Sequence, residues 1–190
     1  ELIKTILENC SGKIGVIRPT FDEYPNRVAD ENKIVFYVNN KDFSYDQKDI
    51  ISFFDDKEIS TLVLVNPDNP SGNFIVKNDL MELLDWAHKK AIRLIIDESF
   101  VDFADGDDES LLYDYILEKY PELIVIKSIS KSYGVPGLRL GIAASADTDL
   151  IKKIKKQNSI WNINSFGEYF MQIIEKYAKV YQRARMEFRE

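Results

Sequence analysis

The stretch TLVLVNPDNPSGN (residues 61–73) decides the fold class of this chain. Its opening segment, TLVLV, is almost continuously apolar, which is typical of a strand buried on both faces of a parallel sheet. The strand ends abruptly in NPDNPSGN, where residue types that favour turns crowd together. A short buried strand that stops at such a turn indicates an α/β protein with a mostly parallel central sheet.

Short apolar segments alternate with amphipathic segments on both sides of this stretch. The pattern predicts strands at 13–19, 33–38, 61–66, 91–97, 122–128 and 138–144. It predicts helices at 46–54, 77–90, 110–119, 147–157 and 165–185, with Asn78 or Asp79 as the N-cap of the second. No repeat or low-complexity linker interrupts the alternation. We therefore expect residues 1–190 to form a single domain in which helices flank the sheet.

Charge and composition argue against several classes of function. The net charge of −7 disfavours general affinity for nucleic acid or an anionic membrane, and the basic run KKIKK (152–156) is taken as a solvated helix face. Apolar runs are far shorter than the roughly 20 residues of a membrane span, and no signal-peptide pattern opens the chain. We expect a soluble cytoplasmic protein. One cysteine and one histidine leave no internal disulfide and predict no metal site.

Polar clusters follow three of the predicted strands, at 66–73, 97–102 and 128–139. Each cluster has an ordinary interpretation by itself: a turn, a helix cap or solvated loop acid, and a surface lysine. Ligands of parallel α/β sheets, however, bind beyond the carboxyl ends of the strands, where the connecting loops gather. Together the three clusters predict one shared ligand site.

The last cluster, SISKSYGVPGLRLG (128–141), combines a lysine, hydroxyls, a flexible turn and an arginine. Pyridoxal phosphate chemistry needs an amine that forms an imine, a carboxylate that keeps the ring nitrogen protonated, and donors for a phosphate. Lys131 supplies the amine, and Asp97 supplies the carboxylate. Arg139 has a planar fork that suits phosphate oxygens, and Ser128 and Ser130 add neutral donors. Periodicity alone does not name the cofactor.

The motifs also carry a family resemblance. The sequence resembles the fold-type I pyridoxal-phosphate enzymes, in particular the class I/II aminotransferases close to histidinol-phosphate aminotransferase and threonine-phosphate decarboxylase. The match spans nearly the whole chain in the same order, and it implies the fold of the large domain of these transferases. The matching motifs are NPDNPSG (66–72), DESFVDF (97–103) and SISKSYGVPGLRLG, with weaker echoes in PTFDEY (19–24) and WNIN (161–164).

The resemblance implies a role for each candidate residue. Lys131 would form the Schiff base with pyridoxal 5'-phosphate, and Asp97 would pair with the pyridine nitrogen. Asn69 would donate a hydrogen bond to the phenolic oxygen, and Phe21 would stack on the ring. The residues that would hold the phosphate are Ser128, Ser130 and Arg139.

Two departures from the family pattern matter. Phe100 stands where the family motif has a tyrosine, so the phenolate would lose a hydrogen bond and the Schiff-base pKa would rise. Phe100 indicates either a subfamily with another reaction or a tolerated change. The family's phosphate-binding segment would precede Glu1, and its small C-terminal domain would follow Glu190. We therefore expect a large-domain fragment that lacks both.

The primary functional expectation is an aminotransferase that acts on an amino acid or amino-acid-like phosphate, with a 2-oxo acid as the second substrate. The freed Lys131 amine would then move a proton at the α-carbon. Two alternatives stay open: decarboxylation of a phosphorylated amino acid, and a degenerate domain without catalysis. The resemblance also implies a homodimer. The sequence itself leaves Trp161 either at an interface or in the core.

Overall fold

The computed structural model describes residues 1–106 and 108–189. Within them, six strands form one sheet in the order β2-β1-β3-β4-β5-β6, in which β6 is antiparallel to β5 and the other neighbours are parallel. The strands are β1 (Ile14–Arg18), β2 (Lys33–Tyr37), β3 (Thr61–Val65), β4 (Arg93–Asp97), β5 (Leu123–Ser128) and β6 (Gly141–Ala144). The predicted mostly parallel sheet is confirmed.

Helices lie before β1, between the strands and after β6. They are α1 (Leu2–Glu8), α2 (Glu23–Asn26), α3 (Gln47–Phe54), α4 (Lys77–Lys89), α5 (Asp114–Lys119), α6 (Ile129–Ser132), α7 (Thr148–Gln157), α8 (Ser165–Ile173) and α9 (Ala178–Arg189). The prediction of one continuous helix over 165–185 is wrong, because a 3₁₀ turn at Ile174–Tyr177 divides it. The predicted strand at 138–144 begins only at Gly141, since Pro136–Leu138 forms another 3₁₀ turn and Arg139 adopts a left-handed backbone (φ 57°, ψ 42°).

Both faces of the sheet are covered by apolar side chains, which explains the continuous apolar run of β3. Successive side chains of a strand point to opposite faces. Leu62 and Leu64 pack in a cluster with residues of α3, α4 and α5, whereas Val63 and Val65 pack in a second cluster with residues of α1 and α7. All five residues of β3 are buried. The run TLVLV therefore has no solvated face on which a polar residue would be favoured.

The N-terminus of α4 is capped from a distant part of the chain. The prediction that Asn78 or Asp79 caps this helix is wrong, because the N-cap position is Val76, which offers no side-chain acceptor. Instead, the Glu109 carboxylate accepts a hydrogen bond from the backbone N–H of Lys77 at 2.6 Å. A carboxylate at this end also complements the helix dipole.

The sheet brings the three predicted polar clusters to one edge. In the register of the parallel strands, Asp97 at the end of β4 lies opposite Val65 on β3 and Ile126 on β5.

Among residues 1–106 and 108–189, no helix combines the length and apolar character needed to cross a bilayer. In the same described part, no group of three or more His, Cys, Asp or Glu side chains is arranged to hold a metal ion.

Candidate active site

A cavity of about 540 Å³ opens at the carboxyl ends of β3, β4 and β5. Its volume falls within the roughly 300–1,000 Å³ of small-molecule sites. Residues of all three polar clusters line the cavity, so the segments that the sequence placed at a shared site do come together. The predicted site residues that line it are Phe21, Asn69, Asp97, Ser128, Lys131 and Arg139.

Ser130 differs from the other predicted residues. It is buried, with 3% of its surface exposed, and it is not among the residues that line the cavity. Its hydroxyl donates a hydrogen bond to the carbonyl of Leu140 at 3.3 Å. This bond ties α6 to the segment that enters β6. The phosphate-binding role of Ser130 stays a prediction, and the geometry of the side chain does not support it.

Asp97 is buried and held in a fixed orientation. The hydroxyl of Tyr24 donates to its Oδ2 at 2.7 Å, and the backbone N–H and hydroxyl of Ser99 donate to its Oδ1 at 2.9 and 2.5 Å. The Ser99 hydroxyl also accepts from the backbone N–H of Ser128 at 3.0 Å. Burial and the neighbouring Asp97 charge raise the pKa of Tyr24 well above its usual 10, so its hydroxyl remains a donor.

Lys131 lies in the single turn of α6, directly after β5, and its side chain is exposed to the cavity. Its Nζ is 5.5 Å from the centroid of the Phe100 ring. The turn is fixed by backbone hydrogen bonds from Val135 to Ser130 (3.1 Å) and from Ile129 to Leu140 (3.2 Å). The backbone at Lys131 is therefore fixed by hydrogen bonds, whereas the exposed side chain that carries the amine can change its rotamer.

Arg139 lines the cavity from the segment that leads into β6. Its Nη1 donates to the carbonyl of Pro136 at 3.2 Å, and the residue is otherwise exposed. Phe21 is 43% exposed and meets the ring of Tyr24 edge-on, with centroids 6.3 Å apart. These two residues contribute a cation and an apolar face to the same cavity.

The roles of Tyr24 and Ser99 were missed by the sequence analysis. Both residues belong to motifs that were recognised, PTFDEY and DESFVDF, but nothing in those strings indicates that both side chains converge on Asp97. Asn162 and Ile163 of the WNIN motif also line the cavity. Trp161 of that motif is 90% exposed, so it lies outside the core that the described residues form.

The cavity groups together an amine, a buried carboxylate, a guanidinium and an amide. This donor set can bind an anion at Arg139 and a protonated ring nitrogen at Asp97, and it presents the Lys131 amine to an aldehyde. These capabilities match the chemistry inferred from the sequence.

Comparison with known proteins agrees with this chemistry. The family model described as "Aminotransferase class I and II" matches residues 1–184. A CMP-5'-(3-aminopropyl)phosphonate synthase from Streptomyces rubellomurinus is 35% identical over 190 residues, which are 100% of this chain and 30% of that protein. An L-serine phosphate decarboxylase from Sulfurospirillum multivorans is 32% identical, over 99% of this chain and 49% of that protein.

Among solved structures, the histidinol-phosphate aminotransferase from Clostridium acetobutylicum superposes with a TM-score of 0.72 and 29% identity, over 89% of this chain and 49% of that one. The likeness to histidinol-phosphate aminotransferase that the motifs implied is confirmed. The chain spans half or less of the length of these relatives. It belongs to the class I and II aminotransferase family, whose cofactor is pyridoxal phosphate.

Proposed function

We propose that this protein is a pyridoxal-phosphate-dependent decarboxylase of a phosphorylated or similarly anionic amino acid. The sequence alone put aminotransfer first and decarboxylation second. Two similar proteins change that order, since one is named for the decarboxylation of L-serine phosphate and the other for the synthesis of an aminopropylphosphonate derivative. Both names join an amine to a phosphorus-containing acid, which is the substrate class that we infer.

The residues of the cavity fit the cofactor. Asp97, oriented by three donors from the buried residues Tyr24 and Ser99, would hold the ring nitrogen in its protonated form. Arg139 with Ser128 would bind the phosphate. Phe21 would cover one face of the ring and Asn69 would donate to the phenolic oxygen. When bound, pyridoxal phosphate supplies an electron sink for the electron pair left at the substrate α-carbon.

Phe100 is the observation that carries the choice of decarboxylation. Its apolar ring lies 5.5 Å from the Lys131 amine and lines the cavity, at the position where the family motif has a tyrosine. The resemblance implies that a tyrosine at this position donates to the phenolic oxygen of the cofactor, and Phe100 lacks that hydroxyl. Phe100 therefore favours a subfamily whose reaction differs from aminotransfer, and the names of the similar proteins favour decarboxylation as that reaction.

Lys131 is the proposed proton donor. As the bond between the α-carbon and the carboxylate breaks, carbon dioxide leaves and the electron pair remains at the α-carbon. The Lys131 ammonium then donates a proton to that carbon, which leaves a primary amine that keeps its phosphate. A lysine whose side chain is exposed in the cavity can move between the α-carbon and the surrounding donors.

Aminotransfer remains the second candidate, and the likeness to a histidinol-phosphate aminotransferase favours it. It would use the same residues, with the Lys131 amine removing a proton from the α-carbon rather than supplying one. A domain without catalysis is the third candidate, and it accounts less well for the shared cavity of amine, carboxylate and guanidinium. Homodimerisation and a cytoplasmic location stay predictions.

The test incubates purified protein with pyridoxal phosphate and O-phospho-L-serine, with and without a 2-oxo acid. Decarboxylation predicts carbon dioxide and O-phosphoethanolamine, with no consumption of the 2-oxo acid. Lys131→Ala should abolish the reaction and the visible absorption band of the bound cofactor, whereas Lys89→Ala, which changes an exposed lysine of α4, should not.

Phe100→Tyr adds the hydroxyl of the family motif and should slow release of carbon dioxide. Conversion of the 2-oxo acid to an amino acid without release of carbon dioxide would refute decarboxylation in favour of aminotransfer. Absence of any new absorption band at saturating cofactor would refute both and leave the domain without catalysis.

A further inference from the structure

We propose that Asp68 is a positioning residue that fixes the turn carrying Asn69 against the turn carrying Phe21, through a hydrogen bond from Thr20. The inference rests on the proposed function in so far as Asn69 and Phe21 contact the cofactor. Asp68 itself does not line the cavity. It would act through its neighbours, because it sets the distance between Asn69, which would bind the phenolic oxygen of the cofactor, and Phe21, which would cover the face of the ring.

The contacts of Asp68 join two separate segments. Its Oδ1 accepts from the hydroxyl of Thr20 at 2.5 Å, across 48 positions of sequence. Its Oδ2 accepts from the hydroxyl of Ser71 at 2.5 Å, within its own turn. One oxygen therefore stabilises the turn locally, and the other reaches the segment that follows β1. Thr20 immediately precedes Phe21, and Asp68 immediately precedes Asn69.

The turn after β3 already behaves as one unit. The side chain of Asn66 exchanges two hydrogen bonds with the backbone of Ile75, both at 2.8 Å, which closes the base of the turn. Within it, the backbone N–H of Asp68 donates to the carbonyl of Asn73 at 2.9 Å. These bonds define the internal shape of the turn, and the bond from Thr20 adds a restraint from outside it that opposes opening of the turn. Its effect is to locate the turn relative to its neighbour.

Phe21 lies between two anchored residues. Thr20 is bound to Asp68 after β3, and Tyr24 is bound to Asp97 at the end of β4. Phe21 itself is 43% exposed and has little packing to hold it in place. Its position therefore depends on the two anchors. Without the hydrogen bond from Thr20 to Asp68, Phe21 would be held only through Tyr24 and could move relative to Asn69.

The burial of Asp68 is costly without such a role. The residue is 4% exposed, and desolvation raises its pKa above the ordinary value. In the part of the chain that the structure describes, no ion pair includes Asp68, and its charge is compensated by hydroxyl and backbone donors. If the Asp68 carboxylate turned out into solvent, it would avoid the cost of desolvation but would lose its hydrogen bond from Thr20.

The test compares three variants of the whole protein. Thr20→Val keeps the shape of the side chain and removes the hydroxyl, and Thr20→Ser keeps the hydroxyl. Ser110→Ala is the matched control, because the hydroxyl of Ser110 donates to the buried carboxylate of Glu98 at 2.7 Å and neither residue lines the cavity. For each protein we would measure the dissociation constant of pyridoxal phosphate by visible absorption, and amide hydrogen exchange over 66–73 without added cofactor.

We expect Thr20→Val to raise the dissociation constant about tenfold, equivalent to about 1.4 kcal/mol, and to speed exchange over 66–73. Thr20→Ser should resemble the wild type, and Ser110→Ala should change the dissociation constant less than about twofold. Equal weakening by Ser110→Ala would show a general loss of stability and overturn the proposal.

The exchange measurement separates this inference from the proposed function. If the wild type binds no cofactor, the proposed function fails, but Thr20→Val must still speed exchange over 66–73 for the coupling to stand. If the wild type binds cofactor and Thr20→Val leaves both readouts unchanged, the proposed function stands and the positioning role of Asp68 is refuted.

Discussion

Replacement of Tyr24 by phenylalanine removes one hydroxyl from the centre of the site. The Tyr24 ring is fully buried, and its hydroxyl donates at 2.7 Å to the Oδ2 of Asp97, which is 4% exposed. The variant keeps the packing of the ring but leaves a buried carboxylate oxygen without this donor. A hydrogen bond to a charged group contributes about 1.5–3 kcal/mol, so we expect the free energy of unfolding to fall by about that amount. In a protein of this size, this corresponds to a decrease of roughly 3–12 °C in Tm.

Tyr120→Phe provides a control, because it removes the same type of hydrogen bond, from a tyrosine hydroxyl to an aspartate, at a more solvent-exposed position. The hydroxyl of Tyr120 donates to Oδ1 of Asp85 at 2.6 Å, but the Asp85 side chain is 51% exposed and can bind water instead. We expect a loss of about 0.5–1 kcal/mol or less, measured by urea and thermal unfolding followed by circular dichroism. A loss in Tyr24→Phe no larger than that in Tyr120→Phe would refute the conclusion that burial makes the Tyr24 bond strong.

The pH dependence gives a second check on the same bond. Burial raises the pKa of Tyr24 above 10 in the folded protein, whereas the unfolded chain titrates near 10. The contribution of Tyr24 to stability is therefore fully present below about pH 10 and decreases as the pH rises toward the folded pKa. The difference in unfolding free energy between wild type and Tyr24→Phe should be constant from about pH 7 to 9 and should shrink above about pH 10. A difference that grows with pH in that range would reverse the inferred sign.

Two further substitutions test the packing and the electrostatics of the fold. Gly15→Ala would place a Cβ 2.7 Å from Cε1 of Phe54, so we expect a loss of about 1–3 kcal/mol in urea unfolding, and unchanged stability would contradict the close approach of β1 and α3. Burial raises the pKa of Glu98 above its ordinary 4.5, so the wild type should lose stability relative to Glu98→Gln as the pH rises above about 4.5. Parallel stability–pH curves for the two proteins would show that Glu98 does not titrate with a raised pKa.

The central strands were predictable because burial on both faces leaves a strong signal. β3, β4 and β5 appear in the sequence as short apolar runs, and the structure places them within two residues of the predicted bounds. The antiparallel direction of β6 was not predictable, since it depends on how the segment after α6 turns back along β5. The cap of α4 could not be found locally either, because its acceptor, Glu109, lies 32 positions from Lys77.

The site could be predicted as a set of residue types but not as a network. Lys131, Asp97 and Arg139 carry functional groups that few structural roles require together, so their chemistry indicated a shared ligand. Tyr24 and Thr20 act through single hydroxyls, and a hydroxyl in a sequence gives no indication of which distant carboxylate it binds. Such pairings are set by the sheet register and the turns, which emerge only from the assembled fold.

The left-handed backbone at Arg139 implies a trade-off between stability and binding at one position. A side chain with a Cβ costs about 1–2 kcal/mol in this conformation, a cost that glycine does not carry. Glycine would thus suit the local backbone better than arginine, but it would remove a cation that lines the cavity. Selection for thermal stability alone should favour Arg139→Gly, and selection for affinity toward an anionic ligand should oppose it. The arginine marks a place where the chain gives up folding energy to keep a charge at the cavity.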